Sequence, residues 1–430
     1  MNYYSTTTKS FHASLSQAVL AGLATDGGLY MPEQIPQCSA ELIKALPKLS
    51  FLETAIEVAK VYFKSDIDAK TIEQLCSAAF TFPAPLVNIH DRNNVLELFH
   101  GPTLAFKDFG ARFMAQLMSY LLRNESQELH ILVATSGDTG SAVAYGFLGV
   151  PGIRVSILYP SSKVSEIQEK QLTTLSQNIQ ALEVQGTFDD CQRLVKQAFV
   201  DPELKGKCNL GSANSINIAR LIPQSFYYFH AVGQINSTCP LAICVPSGNF
   251  GNLCAGMFAK KMGLPIAHFV AATNANSVIP EYLESGKYQP RPSVSTLSNA
   301  MDVGNPSNYV RIMEIYNHDL EALRKDLTGI ITTDDETRST ISSVHNTYGY
   351  TLDPHGAVGY LALKKFLAKH QDHQGIFFET AHPAKFLDIV QEQINTPVEI
   401  PPRLKECLSK EKRALLLPAE YPALKSYLQK

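Results

Sequence analysis

Apolar residues recur at helical spacing through the first 85 residues of the chain. Residues 14–24 (SLSQAVLAGLA) show this period, and a Gly-Gly turn and a proline follow them. Two further amphipathic stretches cover residues 50–65 and 68–80, before a proline-punctuated connector at residues 82–89. The pattern predicts a small, mainly helical N-terminal domain over residues 1–85.

A different pattern begins near residue 90, where short apolar runs alternate with amphipathic helical segments. The runs lie at residues 128–134, 153–160, 179–186, 241–247, 267–274 and 374–381. Continuous apolar strands separated by helices are typical of a largely parallel sheet that is covered by helices. Residues 275–350 interrupt the alternation and predict a helical and loop-rich insertion. The sequence therefore predicts an α/β fold.

Composition and charge narrow the class of protein. With 430 residues, the chain is long enough for two or three domains. Its net charge of -3 predicts no binding to nucleic acid or to an anionic membrane. The eight cysteines form no C-x-x-C pair and no zinc-ligand spacing, so we expect reduced thiols and no metal site. The polar start and the lack of an apolar run of membrane-spanning length favour the cytoplasm.

One lysine lies in the motif HGPTLAFKDFG, directly after an apolar run. The residues that follow Lys107 have apolar positions at helical spacing, so Lys107 lies near a predicted helix N-terminus. The positive end of a helix and the apolar neighbours Leu104 and Phe106 both favour the neutral amine. A neutral lysine amine is the nucleophile that forms an imine with an aldehyde. A surface lysine paired with Asp108 is the alternative.

The motif VPSGNFGN, residues 245–252, follows an apolar strand and precedes a helical segment. Gly248 and Gly251 allow a ligand to approach the backbone closely. The N–H groups from Gly248 to Asn252 would then point toward an anion at the helix N-terminus. This pattern favours a phosphate or carboxylate site, and an ordinary strand-to-helix turn is the alternative.

A second loop of this kind lies in ATSGDTGSAVA, which again follows an apolar strand. The hydroxyls of Thr135, Ser136 and Thr139, with nearby N–H groups, are candidates to hold a carboxylate. Asp138 is the unexpected member, because an acid beside an anion site would repel the ligand. It therefore caps the helix or serves another purpose.

Polar side chains also recur in NSINIAR, residues 214–220. If this segment is helical from about Ser215, Asn214 and Arg220 lie near one edge with Asn217 beside them. Asparagine amides, a serine hydroxyl and a guanidinium suit a second phosphate site. The alternative is an N-cap at Asn214 and an arginine that faces solvent.

The last apolar strand ends in FETAHPAKF, residues 378–386. Ligands of parallel sheets bind beyond the carboxyl ends of the strands, and Thr380 lies at such an end. His382 is a candidate acid or base, and a helix-capping histidine is the alternative.

These segments together match one ligand. It has an aldehyde for Lys107, a phosphate for the loop at residues 248–252, and an aromatic nitrogen that a hydroxyl such as that of Thr380 can meet. Pyridoxal phosphate has all three groups. The sequence therefore predicts that Lys107 carries this cofactor as a Schiff base, and the second anion site suggests a phosphorylated substrate.

The chain resembles the bacterial threonine synthase family along nearly its whole length. The motifs that carry the resemblance occur in the family's order and spacing: SLSQAVLAGLATDGGLYMP, FHGPTLAFKDFGARFM, ATSGDTGSAVA, SANSINIARL, VPSGNFGN, LSNAMDVGNPSN and AHPAKF. The resemblance implies a fold-type II pyridoxal-phosphate enzyme, similar to the tryptophan synthase β-subunit, with two parallel-sheet domains and an added N-terminal domain. It implies a catalytic region of two interleaved subdomains over residues 86–400 and a C-terminal tail over residues 401–430.

The resemblance also implies roles for individual residues. Lys107 matches the Schiff-base lysine, and Thr380 matches the hydroxyl at the pyridine nitrogen. Asp138 stands near the cofactor's 3'-oxygen, where many fold-type II relatives have asparagine, so its role stays open. The cofactor-phosphate loop is matched by Gly248, Asn249, Phe250, Gly251 and Asn252. The substrate residues implied are Ser136, Gly137 and Thr139 for the carboxylate and Asn214, Ser215 and Arg220 for the phosphate.

The reaction implied is the conversion of O-phospho-L-homoserine and water to L-threonine and phosphate, carried out by a monomer. A threonine or serine dehydratase, or a phospho-lyase acting on phosphothreonine, would keep Lys107 and the loop at residues 248–252. The N-terminal domain and the phosphate-side residues favour the synthase. A binding protein without turnover would be expected only if the lysine or the phosphate loop were damaged, and both are intact.

Overall fold

The N-terminal region combines a small sheet with four helices. The computed structural model describes residues 1–124, 127–135, 137–205, 207–235 and 237–429. Side-chain capping boxes at Ser14 and Ser50 fix the starts of the first and third helices. The elements are β1 (Tyr3–Ser5), β2 (His12–Ala13), α1 (Leu15–Ala21), β3 (Tyr30–Pro32), α2 (Ala40–Ala45), α3 (Phe51–Phe63) and α4 (Ala69–Ala79).

Eleven more strands lie in the rest of the described chain. They are β4 (Leu86–His90), β5 (Asn93–Glu97), β6 (Leu129–Ala134), β7 (Ile153–Pro160), β8 (Ile179–Gln185), β9 (Asn209–Ser212), β10 (Leu241–Pro246), β11 (His268–Thr273), β12 (Leu327–Ile331), β13 (Gln374–Glu379) and β14 (Leu415–Pro418).

Helices connect most of these strands. They are α5 (Lys107–Leu122), α6 (Asp138–Phe147), α7 (Glu166–Thr173), α8 (Phe188–Val200), α9 (Pro202–Lys205), α10 (Ile218–Leu221), α11 (Gln224–Gln234), α12 (Gly251–Lys261), α13 (Val278–Ser285), α14 (Tyr309–Ile315), α15 (Leu320–Asp326), α16 (Asp334–Tyr348), α17 (Pro354–Lys369), α18 (Leu387–Ile394), α19 (Pro402–Ser409) and α20 (Tyr421–Leu428). Short 3-10 turns occupy Leu46–Lys48, Asn299–Met301 and Pro383–Phe386.

The strands form three sheets. β1 lies between β2 and β3 in the small antiparallel sheet. The six-stranded sheet has the order β12-β11-β10-β13-β5-β4, and its strands are parallel except for the β4–β5 hairpin. The five-stranded sheet has the order β14-β8-β7-β6-β9 and is parallel throughout. The predicted α/β fold with two largely parallel sheets is therefore confirmed.

All six predicted apolar runs are strands, namely β6, β7, β8, β10, β11 and β13. Pattern alone missed β4, which overlaps the predicted connector at residues 82–89, as well as β5 and β9. It also missed β12 inside residues 275–350 and β14 inside residues 401–430. Both are edge strands, and the exposed Ile331, Leu415 and Leu416 show why their pattern differs from that of a buried strand. β1 to β3 were missed because two or three residues are too few to show a period.

Five loops carry every residue predicted to contact the cofactor or substrate, and each loop follows the carboxyl end of a strand. β10, β13 and β5 are neighbours in the six-stranded sheet, and β6 and β9 are neighbours in the five-stranded sheet. The chain crosses between the sheets through α5, whose apolar face is buried. Because parallel strands end at the same edge, this order gathers distant segments of sequence into one cleft.

Candidate active site

Lys107 is the first residue of α5, and the preceding segment is tied to the end of β13. The Phe106 N–H donates to the Thr380 carbonyl oxygen at 2.8 Å, and Ala105 forms a β-bridge with Ala381. The segment before Lys107 therefore lies against residues that are about 270 positions later in the sequence. The predicted cofactor lysine and the predicted ring-nitrogen hydroxyl come from adjoining backbone segments.

Asp108 is not the partner of Lys107. It is fully buried, and its carboxylate accepts hydrogen bonds from the Thr103 N–H at 2.8 Å and from the Thr103 hydroxyl at 2.7 Å. Burial raises the pKa of Asp108 to about 6. The Lys107 side chain is only 15% exposed, so the surface pair considered from sequence is not present.

Asp138 lies between two lysines at the start of α6. Its Oδ1 atom is 2.6 Å from Lys385 Nζ and accepts a hydrogen bond from Gln168 Nε2 at 3.0 Å. Its Oδ2 atom is 3.9 Å from Lys107 Nζ. Burial opposes ionisation of Asp138, but the charges of Lys385 and Lys107 outweigh it and hold the pKa of Asp138 far below its usual range. Asp138 is thus an ionised carboxylate and not a helix cap, since Gly137 is the N-cap of α6.

Burial lowers the pKa of the Lys107 amine. The Asp138 carboxylate acts in the opposite direction, whereas the charges of Lys385 and Arg220 lower the pKa further. Both predicted influences therefore act on this amine: it lies at a helix N-terminus and it is desolvated. The free amine is the form that attacks an aldehyde.

The loop that precedes α6 uses one hydroxyl internally. Thr135 Oγ1 accepts hydrogen bonds from the Gly137 N–H at 3.0 Å and from the Gly140 N–H at 2.9 Å. Gly137 has a φ of +146°, which only glycine adopts without strain. Thr139 is half-buried in the first turn of α6. Ser136, the third residue predicted to meet the substrate carboxylate, lies outside the described residues.

The loop before α12 is shaped by close backbone contacts. A Cβ atom on Gly248 would lie 2.6 Å from Met301 Cα, so a larger residue would displace the loop. Phe250 has a φ of +59° and turns the chain into the helix that begins at Gly251. The Asn249 side chain is fixed at both ends, because its Nδ2 donates to Ser215 Oγ at 2.6 Å and its Oδ1 accepts from the Ser307 N–H.

Asn252 offers a free donor in this loop. Its side-chain oxygen accepts hydrogen bonds from Tyr227 at 2.7 Å and from Tyr228 at 2.9 Å. That contact orients the amide, and the buried Nδ2 has no partner in the part of the chain that is described. A buried, unpaired N–H beside a helix N-terminus suits an anion such as a phosphate.

The segment at residues 214–220 differs from its predicted helix. Asn217, not Asn214, is the N-cap, and α10 begins at Ile218. Arg220 does not face solvent: it is buried, its Nη1 donates to the Ala213 carbonyl oxygen at 2.8 Å, and its Nε has no described partner. Burial lowers the pKa of Arg220 to about 10, so the guanidinium stays charged at neutral pH. The Asn249–Ser215 hydrogen bond joins this segment to the loop before α12.

Thr380 and His382 follow β13. Thr380 is buried and is the first residue after β13. Nδ1 of His382 accepts a hydrogen bond from the Ala384 N–H at 3.1 Å and caps the 3-10 turn. Burial lowers the pKa of His382 to about 4, so the ring is neutral at physiological pH. The geometry favours the capping role over acid–base chemistry.

Sequence reasoning missed two buried cations. Lys385 lies in the quoted motif AHPAKF, and a lysine beyond a strand's carboxyl end was a usable signal for it. Arg311 gave no local signal. It is fully buried and donates to the carbonyl oxygens of Tyr30 at 3.0 Å and Ile216 at 2.6 Å, and to Asn308 Oδ1 at 2.9 Å. Arg311 therefore links the N-terminal region to both predicted anion sites.

Comparison with known proteins decides the family. A model of pyridoxal-phosphate-dependent enzymes matches residues 94–376. Models of the threonine synthase N terminus and of the threonine synthase C-terminal region match residues 2–80 and 356–428. Threonine synthase from Haemophilus influenzae is 44% identical over 436 residues, with 100% of each chain covered. The chain belongs to the threonine synthase family.

Solved structures of the threonine synthase family have the same fold. The Escherichia coli enzyme superposes with a TM-score of 0.93 at 42% identity, covering 100% of this chain and 99% of that one. The pyridoxal-phosphate-bound enzyme from Brucella melitensis gives 0.93 at 37% identity, with 100% and 99% covered. These matches confirm the predicted fold-type II class, pyridoxal phosphate as the cofactor, and threonine synthesis as the activity of the family to which the chain belongs.

The residues of the cleft fit this cofactor. The close approach at Gly248 and the unpaired Asn252 amide form a cradle for a phosphate, and the desolvated Lys107 amine suits an aldehyde. Within the described residues, no group of three or more His, Cys, Asp and Glu side chains could hold a metal ion. No described helix has both the length and the apolar character needed to cross a bilayer.

Proposed function

We propose that this chain converts O-phospho-L-homoserine and water to L-threonine and phosphate, with Lys107 as the residue that holds the cofactor covalently. The observation that carries the choice of substrate is Arg220. A buried guanidinium with an unpaired Nε, joined through Ser215 and Asn249 to the cofactor-phosphate loop, is suited to a second phosphate. Dehydratases of the same fold act on substrates without that group.

The proposal assigns four tasks to the loops around the cleft. The N–H groups of Gly248, Phe250, Gly251 and Asn252, with the Asn249 backbone, hold the cofactor phosphate, and Thr380 meets the ring nitrogen. Asn214, Ser215 and Arg220 bind the substrate phosphate. The α6 loop, with Ser136, Gly137 and Thr139, binds the substrate carboxylate. The N–H of Gly137 already serves Thr135, so Thr139 and the neighbouring N–H groups carry more of this contact.

When bound, pyridoxal phosphate supplies an electron sink for the charge left after a proton is removed from the substrate's α-carbon. Lys107 Nζ removes that proton, since its lowered pKa favours the free amine. The same nitrogen, or the phosphate released beside Arg220, returns a proton at the γ-carbon. Closure of the cleft excludes stray water until water adds at the β-carbon.

The test uses purified protein supplied with pyridoxal phosphate and O-phospho-L-homoserine. We expect threonine and phosphate in equal amounts, and the loss of both in Lys107→Ala. Arg220→Met should raise KM for the substrate by at least about tenfold, because a charge-assisted contact to phosphate contributes about 1.4 kcal/mol or more. Arg338→Met is the matched control, since Arg338 pairs with Glu392 on the surface.

Other products would overturn the proposal. Phosphate with a keto acid in place of threonine would identify a lyase on this fold. No product from O-phospho-L-homoserine, with turnover of phosphothreonine or serine, would identify the phospho-lyase or the dehydratase. Equal KM values in Arg220→Met and the wild type would remove the assignment of the substrate-phosphate site.

The remaining proposals concern organisation and location. We propose a helical N-terminal domain at residues 1–85, a catalytic region at residues 86–400, and a C-terminal segment at residues 401–430 that completes the five-stranded sheet through β14. We also propose a monomer that works in the cytoplasm. Light scattering of the purified chain should give a mass near 47.3 kDa, and twice that value would contradict the monomer.

A further inference from the structure

Lys385 is a buried lysine that has no task in the proposed reaction. The side chain is completely buried in the 3-10 turn Pro383–Phe386. Its Nζ atom is 2.6 Å from Asp138 Oδ1 and donates to the Thr103 carbonyl oxygen at 2.9 Å. A lysine is almost never buried completely unless its charge is paired or used.

Asp138 lies at different distances from its two neighbouring lysines. Oδ1 receives Lys385 and Gln168 at hydrogen-bonding distance, whereas Oδ2 lies 3.9 Å from Lys107 Nζ, beyond a hydrogen bond. Lys385 therefore neutralises the carboxylate, and Lys107 faces it without being bonded to it. A free carboxylate in the same place would hold Lys107 as an ammonium ion, because a buried opposite charge strongly favours the charged form.

We propose that Lys385 is a positioning residue for Lys107: it holds Asp138 in a neutral ion pair, so that the Lys107 amine stays free to react. This proposal rests on the proposed function, because it takes Lys107 as the cofactor lysine. It also gives Asp138 a purpose that sequence left open. The carboxylate and Lys385 together act as one neutral group beside the reactive nitrogen.

The other charges around Lys107 agree with this role. Asp138 faces it from α6, Lys385 from the 3-10 turn, Arg220 from α10 and Asp353 from the N-cap of α17. Burial has the largest effect on the pKa of Lys107 and lowers it. The two cations lower this pKa further, and the two carboxylates raise it. Asp108, next to Lys107 in the chain, is bonded to Thr103. Removing Lys385 would leave Arg220 as the one cation opposing two carboxylates among these groups.

The test compares Lys385→Met, Asp138→Asn and the double variant with the wild type. In the apoprotein, labelling of Lys107 by an amine-reactive anhydride is followed against pH by mass spectrometry. In the cofactor-loaded protein without substrate, the pH dependence of the visible absorbance of the lysine–cofactor linkage is measured. Neither readout depends on turnover. Lys260→Met is the matched control, because Lys260 also contacts one aspartate, Asp326, and one backbone carbonyl, far from the cleft.

We expect Lys385→Met to raise the pKa of the Lys107 amine by about one unit or more, which is a roughly tenfold loss of free amine at a pH below that value. The double variant should return the pKa to within about 0.3 units of the wild type, since it removes both members of the pair. Lys260→Met should change nothing.

An unchanged Lys107 pKa in Lys385→Met would overturn the proposal. So would a double variant that behaves like Lys385→Met, because the effect would then not pass through Asp138. If Lys385→Met does not fold, the double variant and Asp138→Asn still decide: both should leave Lys107 free to react. Borohydride reduction and peptide mapping distinguish failure of this inference from failure of the proposed function. Cofactor trapped on a lysine other than Lys107 would refute the proposed function itself.

Discussion

Two loops of the cleft have the same strand–loop–helix arrangement and differ in charge. The acidic loop, residues 134–140, and the amide loop, residues 246–252, each follow a buried parallel strand and open a helix. The acidic loop carries Asp138, which is neutralised by Lys385. The amide loop carries Asn249 and Asn252, which are oriented by neutral partners on α11 and around residue 307.

The difference shows that a strand–loop–helix turn does not by itself select a ligand. Both turns present N–H groups at a helix N-terminus, and both would attract an anion. Side chains from distant parts of the sequence determine which ligand each turn can accept. Lys385 lies 247 residues after Asp138 in the sequence, and without Lys385 the acidic loop would repel the phosphate that we propose for the amide loop.

The largest effect is expected where the acidic loop loses its acid. Asp138→Ala leaves Lys385 without its carboxylate in a buried site, and breaking a buried pair from one side costs about 3–5 kcal/mol. Urea unfolding of the apoprotein should show a loss of that size. Glu392→Ala, which breaks the exposed pair with Arg338, should cost about 1 kcal/mol or less. Equal losses in the two variants would contradict the buried pairing.

A second change makes the amide loop acidic. Asn252→Asp replaces a buried amide with a carboxylate beside the site proposed for the cofactor phosphate, and juxtaposed like charges cost several kcal/mol. We expect cofactor affinity to fall by about 100-fold or more, measured by titrating the apoprotein with pyridoxal phosphate. Asn252→Ala is the control and should lose less. Equal affinity of the two variants would show that phosphate does not bind at this loop.

The third prediction concerns pH and the acid next to Lys107. The pKa of Asp108 is about 6 in the folded protein, above its ordinary value, so the stability linked to it is complete below about pH 4 and is lost as pH rises through 6. Asp108→Asn keeps the shape and lacks this titration. Its free energy of unfolding relative to the wild type should therefore rise by about 2–3 kcal/mol between pH 4 and pH 8.

Urea unfolding at several pH values measures this change. Asn252→Ala, in the amide loop, provides the comparison and should differ from the wild type by the same amount at every pH. A constant difference for Asp108→Asn would mean that Asp108 is ionised throughout this range.

The smallest effect tests how the amide loop is oriented. Tyr227 donates to the Asn252 side-chain oxygen, and the single proton of Tyr228 is shared between that oxygen and the Asn252 backbone oxygen, so either hydroxyl alone can satisfy the side-chain oxygen. Tyr227→Phe should cost about 0.5–1.5 kcal/mol in unfolding free energy. The double Tyr-to-Phe variant should cost more than the sum of the single variants, because the oxygen then has no donor. Simple additivity would show that the two bonds are independent.

Sequence predicted the parts of this site that depend on local pattern. The central strands are continuous apolar runs, and glycine-containing turns follow them, so both loops and Lys107 could be found from spacing alone. Contacts between distant segments could not. The partner of Asp138 and the burial of Arg220 depend on which strands are neighbours in the sheets. The helix cap is Asn217 and not the predicted Asn214, because the Asn217 side chain also donates a hydrogen bond to the Val19 carbonyl oxygen in the N-terminal region.

The buried guanidinium of Arg311 has a consequence for how the protein is made. It is held by the Tyr30 carbonyl oxygen, 281 residues earlier in the chain. At ordinary rates of translation, about 5–20 residues per second, the ribosome produces Tyr30 roughly 15–55 seconds before Arg311. During that interval the nascent chain lacks a side chain that connects its first sheet to both predicted anion sites. Each newly synthesised molecule can therefore complete its cofactor site only late in its own synthesis, when most of the chain already exists.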